Sequence, residues 1–508
     1  MADDFVALPD MIRAHAAAQP SHVAIIQDER SITYAELDAL MDRVAVALQR
    51  EGLKPRDSLA ICASTSIEYA CAFLGALRAG VAVAPLAPSS TPESIATMVA
   101  DCGAMVLFLD KSVADALGPT LARINAKLVG LDEGAPGVGH DHFIASEREK
   151  PAPVAITPDM AFNIIYSSGT TGAPKGIVQS HKMRFGHVAR ASAMGYGPTA
   201  VTLISTGLYS NTTLVSFFPT LGLGGTVVLM KKFDAGEYLK LAAKHRATHT
   251  MLVPVQYQRI MAREDFGNYD LSSFVMKFCT SAPFSAVLKA DVLKRWPGGL
   301  IEYFGMTEGG GTVMLVAHLY PDKLHTVGQP APGHDIRVID DAGRELPRGE
   351  VGEIVGRSEM MMSGYHNRDE ATAAARWMSP DGLEFIRTGD VGRFDADGFL
   401  ELMDRKKDMI ISGGFNIYPS DLEAVLREHG DVSDVAVVGV PSVDWGETPV
   451  AFVVSRGASA EQLRAFANAK LGKTQRIAAV ELIDELPRSH IGKILKRELR
   501  DAYVRDHG

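Results

Sequence analysis

Tyr166-Ser167-Ser168-Gly169-Thr170-Thr171-Gly172-Ala173-Pro174-Lys175-Gly176 decides how the rest of the chain is read. The apolar run Phe162–Tyr166 enters it as a strand. Glycines then remove Cβ obstruction, so that backbone amides can approach an anion closely. Hydroxyls from Ser167, Ser168, Thr170 and Thr171 add donors, and Lys175 adds a positive charge. Together they suit a polyphosphate. The pattern is not a Walker A loop, which needs Gly-Lys followed by Ser or Thr; here Pro174 precedes Lys175 and Gly176 follows it.

Upstream, residues 30–110 read as alternating helix and strand. Thr33-Tyr34-Ala35-Glu36 has the form of a capping box, Leu37, Leu40, Met41, Val44 and Leu48 share one helical face, and Gly52 stops the helix. The apolar runs at 59–62, 81–84 and 105–109 read as buried strands, and the pattern returns at Thr226–Met230 and Thr250–Val253. Such runs separated by helical patterns predict parallel sheets covered on both faces. After about residue 330, alternating segments such as Asp335–Ile339 and Val351–Gly356 between Gly, Pro and Asp turns predict a smaller β-rich unit. The charged run Asp404–Asp408 is a candidate hinge, and Ser420-Asp421-Leu422-Glu423 reads as the cap of a further helix. Val435–Val438 and Val450–Val454 read as strands of a tail long enough to fold separately.

The 508 residues suggest two to four structural units. A hydrophobic fraction of 46% with 22% charged residues is that of a globular protein with a large core. A net charge of −10 argues against general nucleic-acid binding. Cys62, Cys71, Cys102 and Cys279 form no CxxC and no zinc-ligand spacing, which predicts small buried hydrophobes in a reducing cytoplasm. The acidic N-terminus lacks a signal-peptide pattern, and no apolar run is long enough to cross a bilayer.

Five more motifs follow in order. They are Tyr303-Phe304-Gly305-Met306-Thr307-Glu308, Thr388-Gly389-Asp390, Asp404-Arg405-Lys406-Lys407-Asp408, Ser412-Gly413-Gly414-Phe415-Asn416-Ile417-Tyr418-Pro419, and Pro487-Arg488-Ser489-His490-Ile491-Gly492-Lys493. With the Ser-Ser-Gly-Thr-Thr-Gly-x-Pro-Lys-Gly string, the sequence resembles the adenylate-forming superfamily of acyl-CoA synthetases, peptide-synthetase adenylation domains and luciferases, and within it the 4-coumarate–CoA ligase-like acid–CoA ligases. The resemblance implies an α/β fold: a large N-terminal domain (1–403) of packed βα sheets with a β-rich subdomain, then a small mobile α+β domain (404–508) turning about Lys407. It implies an enzyme that uses ATP and Mg2+ to convert a carboxylate into an acyl adenylate, then transfers the acyl group to coenzyme A.

Residue roles come with the resemblance. The segment Ser167–Gly172 and Lys175 would hold ATP phosphates, Thr307 would contact the α-phosphate, and Glu308 would ligate magnesium. Phe304, Gly305 and Met306, with Ser281-Ala282-Pro283, would border adenine; Asp390 would accept from ribose hydroxyls, and Arg405 would hold the ribose–phosphate edge. Lys493 would bridge carboxylate and phosphate during adenylation only, and Gly413-Gly414 would let pantetheine pass in the second step. Lys493 also sits in Pro-x-x-x-x-Gly-Lys, which resembles the site of regulatory lysine acylation.

The acyl pocket departs from the family. In Gly207-Leu208-Tyr209-Ser210-Asn211-Thr212, Ser210 stands where an aromatic-His pair has histidine, and Tyr303 stands where many relatives have glycine. A bulky ring there would shorten the acyl tunnel. That favours a compact or aromatic acid, hydroxycinnamate- or benzoate-like, over a long fatty chain, with a medium-chain fatty acid next. Thr280 would border the same cavity, and Asn211, Thr212 and Ser216 would meet a polar substituent. The second enzyme reading is a stand-alone adenylation protein that loads a carrier-protein thiol. An ATP-binding regulatory protein is disfavoured, because Lys493 and Glu308 are both kept.

Overall fold

The computed structural model describes residues 5–167, 174–405, 408–412, 415–442, 445–472, 475–489 and 493–507, with the backbone alone at 404–405 and 415–416. Ser168, Gly169, Thr170, Thr171, Gly172, Lys407, Gly413 and Gly414 lie outside the described residues. The chain forms two compact units: residues 1–324, 330–335 and 356–386, and residues 325–329, 336–355 and 387–508.

The first unit holds two large sheets. In one, Ser58–Cys62 pairs in parallel with both Ala82–Pro85 and Val106–Leu109. Ala82–Pro85 then pairs in parallel with Ala161–Ser167, which turns antiparallel to Lys175–Ser180. In the other, Val201–Ile204, His249–Leu252, Met276–Cys279 and Gly299–Gly305 run parallel as consecutive neighbours, and Thr312–Val316 closes the edge antiparallel. The apolar runs form these strands because both faces are covered: Leu59, Ala60, Ile61, Leu107 and Phe108 are fully buried.

The capping box forms as read. Thr33 Oγ1 accepts from the Glu36 amide, and the Glu36 carboxylate accepts from the Thr33 amide at 2.7 Å, an arrangement worth about 1 kcal/mol. The helix it starts, Tyr34–Arg50, lies against the helix Ile67–Arg78, which is buried at every residue but Glu68. Gly75 makes that approach: a Cβ there would stand 2.5 Å from Val44 Cβ.

In the second unit, Val432–Ser442 and Gly446–Ser455 form a long antiparallel pair, and Gly446–Ser455 also pairs in parallel with Ala479–Leu482 and antiparallel with Ile410–Ser412. Ile410, Leu422, Val435, Val453 and Leu463 form its core. The helix expected to be capped at Ser420 instead runs Pro419–Arg427 from Tyr418, which supplies no side-chain cap. Proline is preorganised for the first helical position, so the start moves upstream. Glu423 is thereby freed from capping: it accepts from the Val437 amide at 2.9 Å and pairs with Lys496 at 2.9 Å. The strand Asp335–Ile339 has the limits read from the sequence. All four cysteines are buried free thiols. Among the described residues no helix is long and apolar enough to cross a membrane.

Candidate active site

Three predicted segments leave the C-terminal ends of parallel strands in one sheet. Val201–Ile204 leads to 205–212, Met276–Cys279 to Thr280-Ser281-Ala282-Pro283, and Gly299–Gly305 to Met306-Thr307-Glu308. Ligands of open α/β sheets bind along that edge.

The Thr307–Glu308 turn is held tightly. Gly309 and Gly310 follow it, and a Cβ on Gly309 would lie 2.0 Å from the Met360 carbonyl oxygen. Gly309 also takes φ +73°, open to glycine at little cost. The approach lets the Met362 amide donate to the Glu308 carbonyl at 2.8 Å and Ser358 Oγ to the Gly309 carbonyl at 3.0 Å. The Glu308 carboxylate is fixed separately: Tyr365 donates its hydroxyl to Oε1 at 2.8 Å. Burial, reinforced by that carboxylate, raises the Tyr365 phenol well above its usual range, so it stays a donor. Lys175 Nζ lies 5.4 Å from the Tyr365 ring centroid, a cation–π distance. Lys175 opens the strand Lys175–Ser180 opposite Ser167, so the two ends of the phosphate segment are adjacent.

The structure therefore gathers Lys175, Tyr365, Glu308 and Thr307 in one place. Tyr365 escaped the sequence reading, because it arrives from a two-residue strand, Gly364–Tyr365, paired with Val178 and Ile177. Among the described residues no three or more His, Cys, Asp or Glu side chains gather to cage a metal. One oriented carboxylate fits a hard cation that takes its other ligands from phosphate and water.

A buried polar network underlies the same turn and was also missed. Gln179 Nε2 donates to the Thr307 carbonyl at 2.7 Å. Arg184, 2% exposed, reaches Asn163 Oδ1 at 2.9 Å, Asn211 Oδ1 at 2.8 Å and Gln179 Oε1. Asn163 Nδ2 donates to Gln179 Oε1 at 2.9 Å. Burial pulls the guanidinium down to about 9, so it stays charged at neutral pH. The available signal was an asparagine inside the apolar run 162–166.

In the segment expected to bind the acyl group, Tyr209 folds back over Gly207, where a Cβ would stand 2.1 Å from its ring. Burial raises its phenol. Ser210 is buried at the start of the helix Asn211–Gly222. Thr212 and Ser281 share a hydrogen bond of 2.6 Å between hydroxyls, with Ser281 at φ +81°. That left-handed backbone is unusual for serine and fits a locally constrained loop. Thr280 precedes it, half-buried. Tyr303 stacks on Phe278 with centroids 5.8 Å apart, and burial pushes its phenol up to about 12. Ser216 does not meet the reading given to it: it is fully buried, its hydroxyl 2.7 Å from Tyr196 Oη. Phe304 and Gly305 lie opposite Val313 and Thr312, and Met306 packs with Ile177, Met362 and Ile386. Ala282 is half-buried and Pro283 exposed.

In the second unit, the Asp390 amide donates to Thr388 Oγ1 at 3.0 Å, and Thr388 Oγ1 donates to the Ile354 carbonyl at 2.8 Å. Arg405 is the register partner of Asp390 on the neighbouring strand. Lys493 stands exposed beside a short bridge between Arg488 and Ile494. Its amide donates to Ser489 Oγ at 3.2 Å, and its carbonyl accepts from the Ser489 amide at 2.8 Å.

Known proteins match the chain along nearly its whole length. A family model described as AMP-binding enzyme matches residues 12–366, and one described as AMP-binding enzyme C-terminal domain matches 421–493. The chain is 33% identical to an indoleacetate–CoA ligase of Aromatoleum aromaticum, over 98% of each chain. It is 31% identical to a fatty acid–[acyl-carrier-protein] ligase of Streptomyces coeruleorubidus, over 97% of this chain and 95% of that one. ATP-bound MatB of Rhodopseudomonas palustris superposes with a TM-score of 0.87 at 29% identity, over 98% of this chain and 100% of that one.

Proposed function

Because the chain belongs to the AMP-binding enzyme family, we propose that it joins an aromatic carboxylic acid to coenzyme A at the site around Thr307 and Glu308. It is an AMP-forming acid–thiol ligase of the acyl-CoA synthetase type. A carboxylate oxygen attacks the α-phosphorus of ATP, the bond to the β-phosphate oxygen breaks, and pyrophosphate leaves. The thiol sulfur of coenzyme A then attacks the acyl carbon and AMP leaves, with the thiol proton released. Anions meet in the first step, so positive charge and fixed geometry lower its barrier.

The observation that carries the reading is the oriented Glu308 carboxylate beneath Tyr365, with Lys175 on the ring of the same tyrosine. Lys175 and the segment 167–172 would hold the phosphates. Glu308 would hold magnesium, which when bound neutralises phosphate charge. Thr307 contacts the α-phosphate, Phe304 and Ser281–Pro283 border adenine, and Asp390 and Arg405 hold the ribose. Lys493 serves adenylation alone. A domain beginning at residue 404 turns about Lys407 between the steps, bringing Gly413-Gly414 to the pantetheine. Acylation of the exposed Lys493 would remove its charge and stop the first step. The buried thiols fit a cytoplasmic setting.

Tyr303, Tyr209, Ser210 and Thr280 line the acyl side in this reading, and the ring of Tyr303 favours a compact aromatic acid. The likeness to a fatty acid–[acyl-carrier-protein] ligase supports a second acceptor, a carrier-protein thiol. A screen of aromatic and C2–C16 acids against coenzyme A and a carrier protein tests both. Coenzyme A-dependent release of AMP and pyrophosphate with aromatic acids is expected; release that needs the carrier protein favours the second reading, and formation of ADP contradicts both.

A further inference from the structure

Arg184 is a buried cation with no carboxylate partner among the described residues. Its guanidinium lies against the rings of Phe218 and Phe162, 5.5 and 5.9 Å from their centroids, and reaches only amide oxygens. Holding a charge this way costs more than pairing it with an acid. What the arrangement provides is polarity. A guanidinium only donates, so each amide it touches must turn its oxygen inward. Asn163 and Gln179 are fixed in this way, and the outward Nε2 of Gln179 is spent on the Thr307 carbonyl.

Asn211 is fixed by the same cation. Its Oδ1 accepts from Arg184 and, at 3.5 Å, from the Nε2 of Gln179 that also serves Thr307. Its Nδ2 therefore faces away from the network. The residue is half-buried, and Nδ2 has no hydrogen-bond partner among the described residues. One NH2 group thus ties the acyl segment 207–212 to the turn proposed to hold the α-phosphate, and Asn211 offers a donor there.

We propose that Arg184 is a positioning residue that sets Asn211 as a hydrogen-bond donor, and that Asn211 Nδ2 meets an oxygen of the carboxylic acid while that acid is joined to ATP. The proposal rests on the ligase reading. One carboxylate oxygen forms the bond to phosphorus; the other becomes the acyl carbonyl oxygen and gains negative charge when sulfur attacks the carbon. A fixed donor on the second oxygen assists both steps.

The test uses the full chain with ATP and 4-hydroxycinnamate or indoleacetate, whichever the unaltered enzyme turns over. Asn211→Asp keeps an oxygen toward Arg184, preserving the network, and replaces the outward donor by an acceptor. It should raise the acid KM and slow both half-reactions by roughly 10–100-fold, the range for loss of one hydrogen bond to a charged group, with ATP KM unchanged within about twofold and Tm not lowered. Arg184→Met should produce the same split, and adding Asn211→Ala to it should cost nothing further. If Arg184→Met does not fold, Asn211→Asp decides alone. An Asn211→Asp enzyme with unaltered acid KM and rates, or one whose loss falls on ATP KM, overturns the proposal. An unaltered enzyme that forms no AMP from any acid overturns the ligase reading instead.

Discussion

Glu308 and Lys493 are held in opposite ways. The Glu308 backbone is pinned by the Met362 amide, its carboxylate by the Tyr365 hydroxyl, and the glycines beside it let the chain close on 358–362. Lys493 stands exposed beside a short bridge, its backbone fastened to Ser489. A group that must meet phosphate in one fixed geometry gains from preorganisation, because no reorganisation is needed at the moment of reaction. A group needed in one step and unwanted in the next gains from a long flexible stem on a separate unit. On the ligase reading proposed above, the anchored carboxylate would belong to a standing nucleotide site and the exposed lysine would be needed in one step only.

Removing the Lys493 charge should give the largest effect. Lys493→Ala should slow adenylation by on the order of 10²–10³-fold, as for other single electrostatic contacts to a transition state, and leave thioester formation from supplied acyl adenylate close to the unaltered rate. Pyrophosphate exchange and single-turnover thioester assays separate the steps; equal loss in both would erase the contrast. Unfastening the anchored group should cost less. Tyr365→Phe removes one hydrogen bond to a carboxylate, worth about 1.5–3 kcal/mol, and so should lower the adenylation rate roughly 10–100-fold while raising the magnesium concentration needed for ATP binding. Unchanged magnesium dependence in calorimetric ATP titrations would show that the tyrosine does not orient Glu308.

The smallest effect on turnover lies under the anchored unit and appears instead as stability. Burial pulls His181, 2% exposed, down to about 4, against about 6.5 in an unfolded chain. The unfolded state then binds the extra proton first. The stability from a neutral His181 is complete above pH 6.5 and falls as pH drops toward 4, by on the order of 3 kcal/mol. Tm followed from pH 7 to pH 4 should fall, and His181→Gln should fall less steeply; parallel curves would show that His181 does not titrate with unfolding.

Local patterns made much of the fold legible. The strand at 335–339 and the box at Thr33–Glu36 need only neighbours in sequence, and both stand as read. Ser420–Glu423 failed because Pro419 offered a better first helical position. Thr307 and Glu308 stood out by residue type and motif, but what holds them did not. Asn163 meets Gln179 only through antiparallel register, and Tyr365 reaches Glu308 only after pairing with a strand almost two hundred residues earlier. Such partners depend on topology, which residue type and spacing do not encode.

Oxygen-18 in the carboxylate of the acid substrate tests the adenylate most directly. If a carboxylate oxygen attacks the α-phosphorus, each turnover must leave one labelled oxygen in AMP and none in pyrophosphate, and mass spectrometry of the two products reads it. Unlabelled AMP, or label in the inorganic product, would contradict the account.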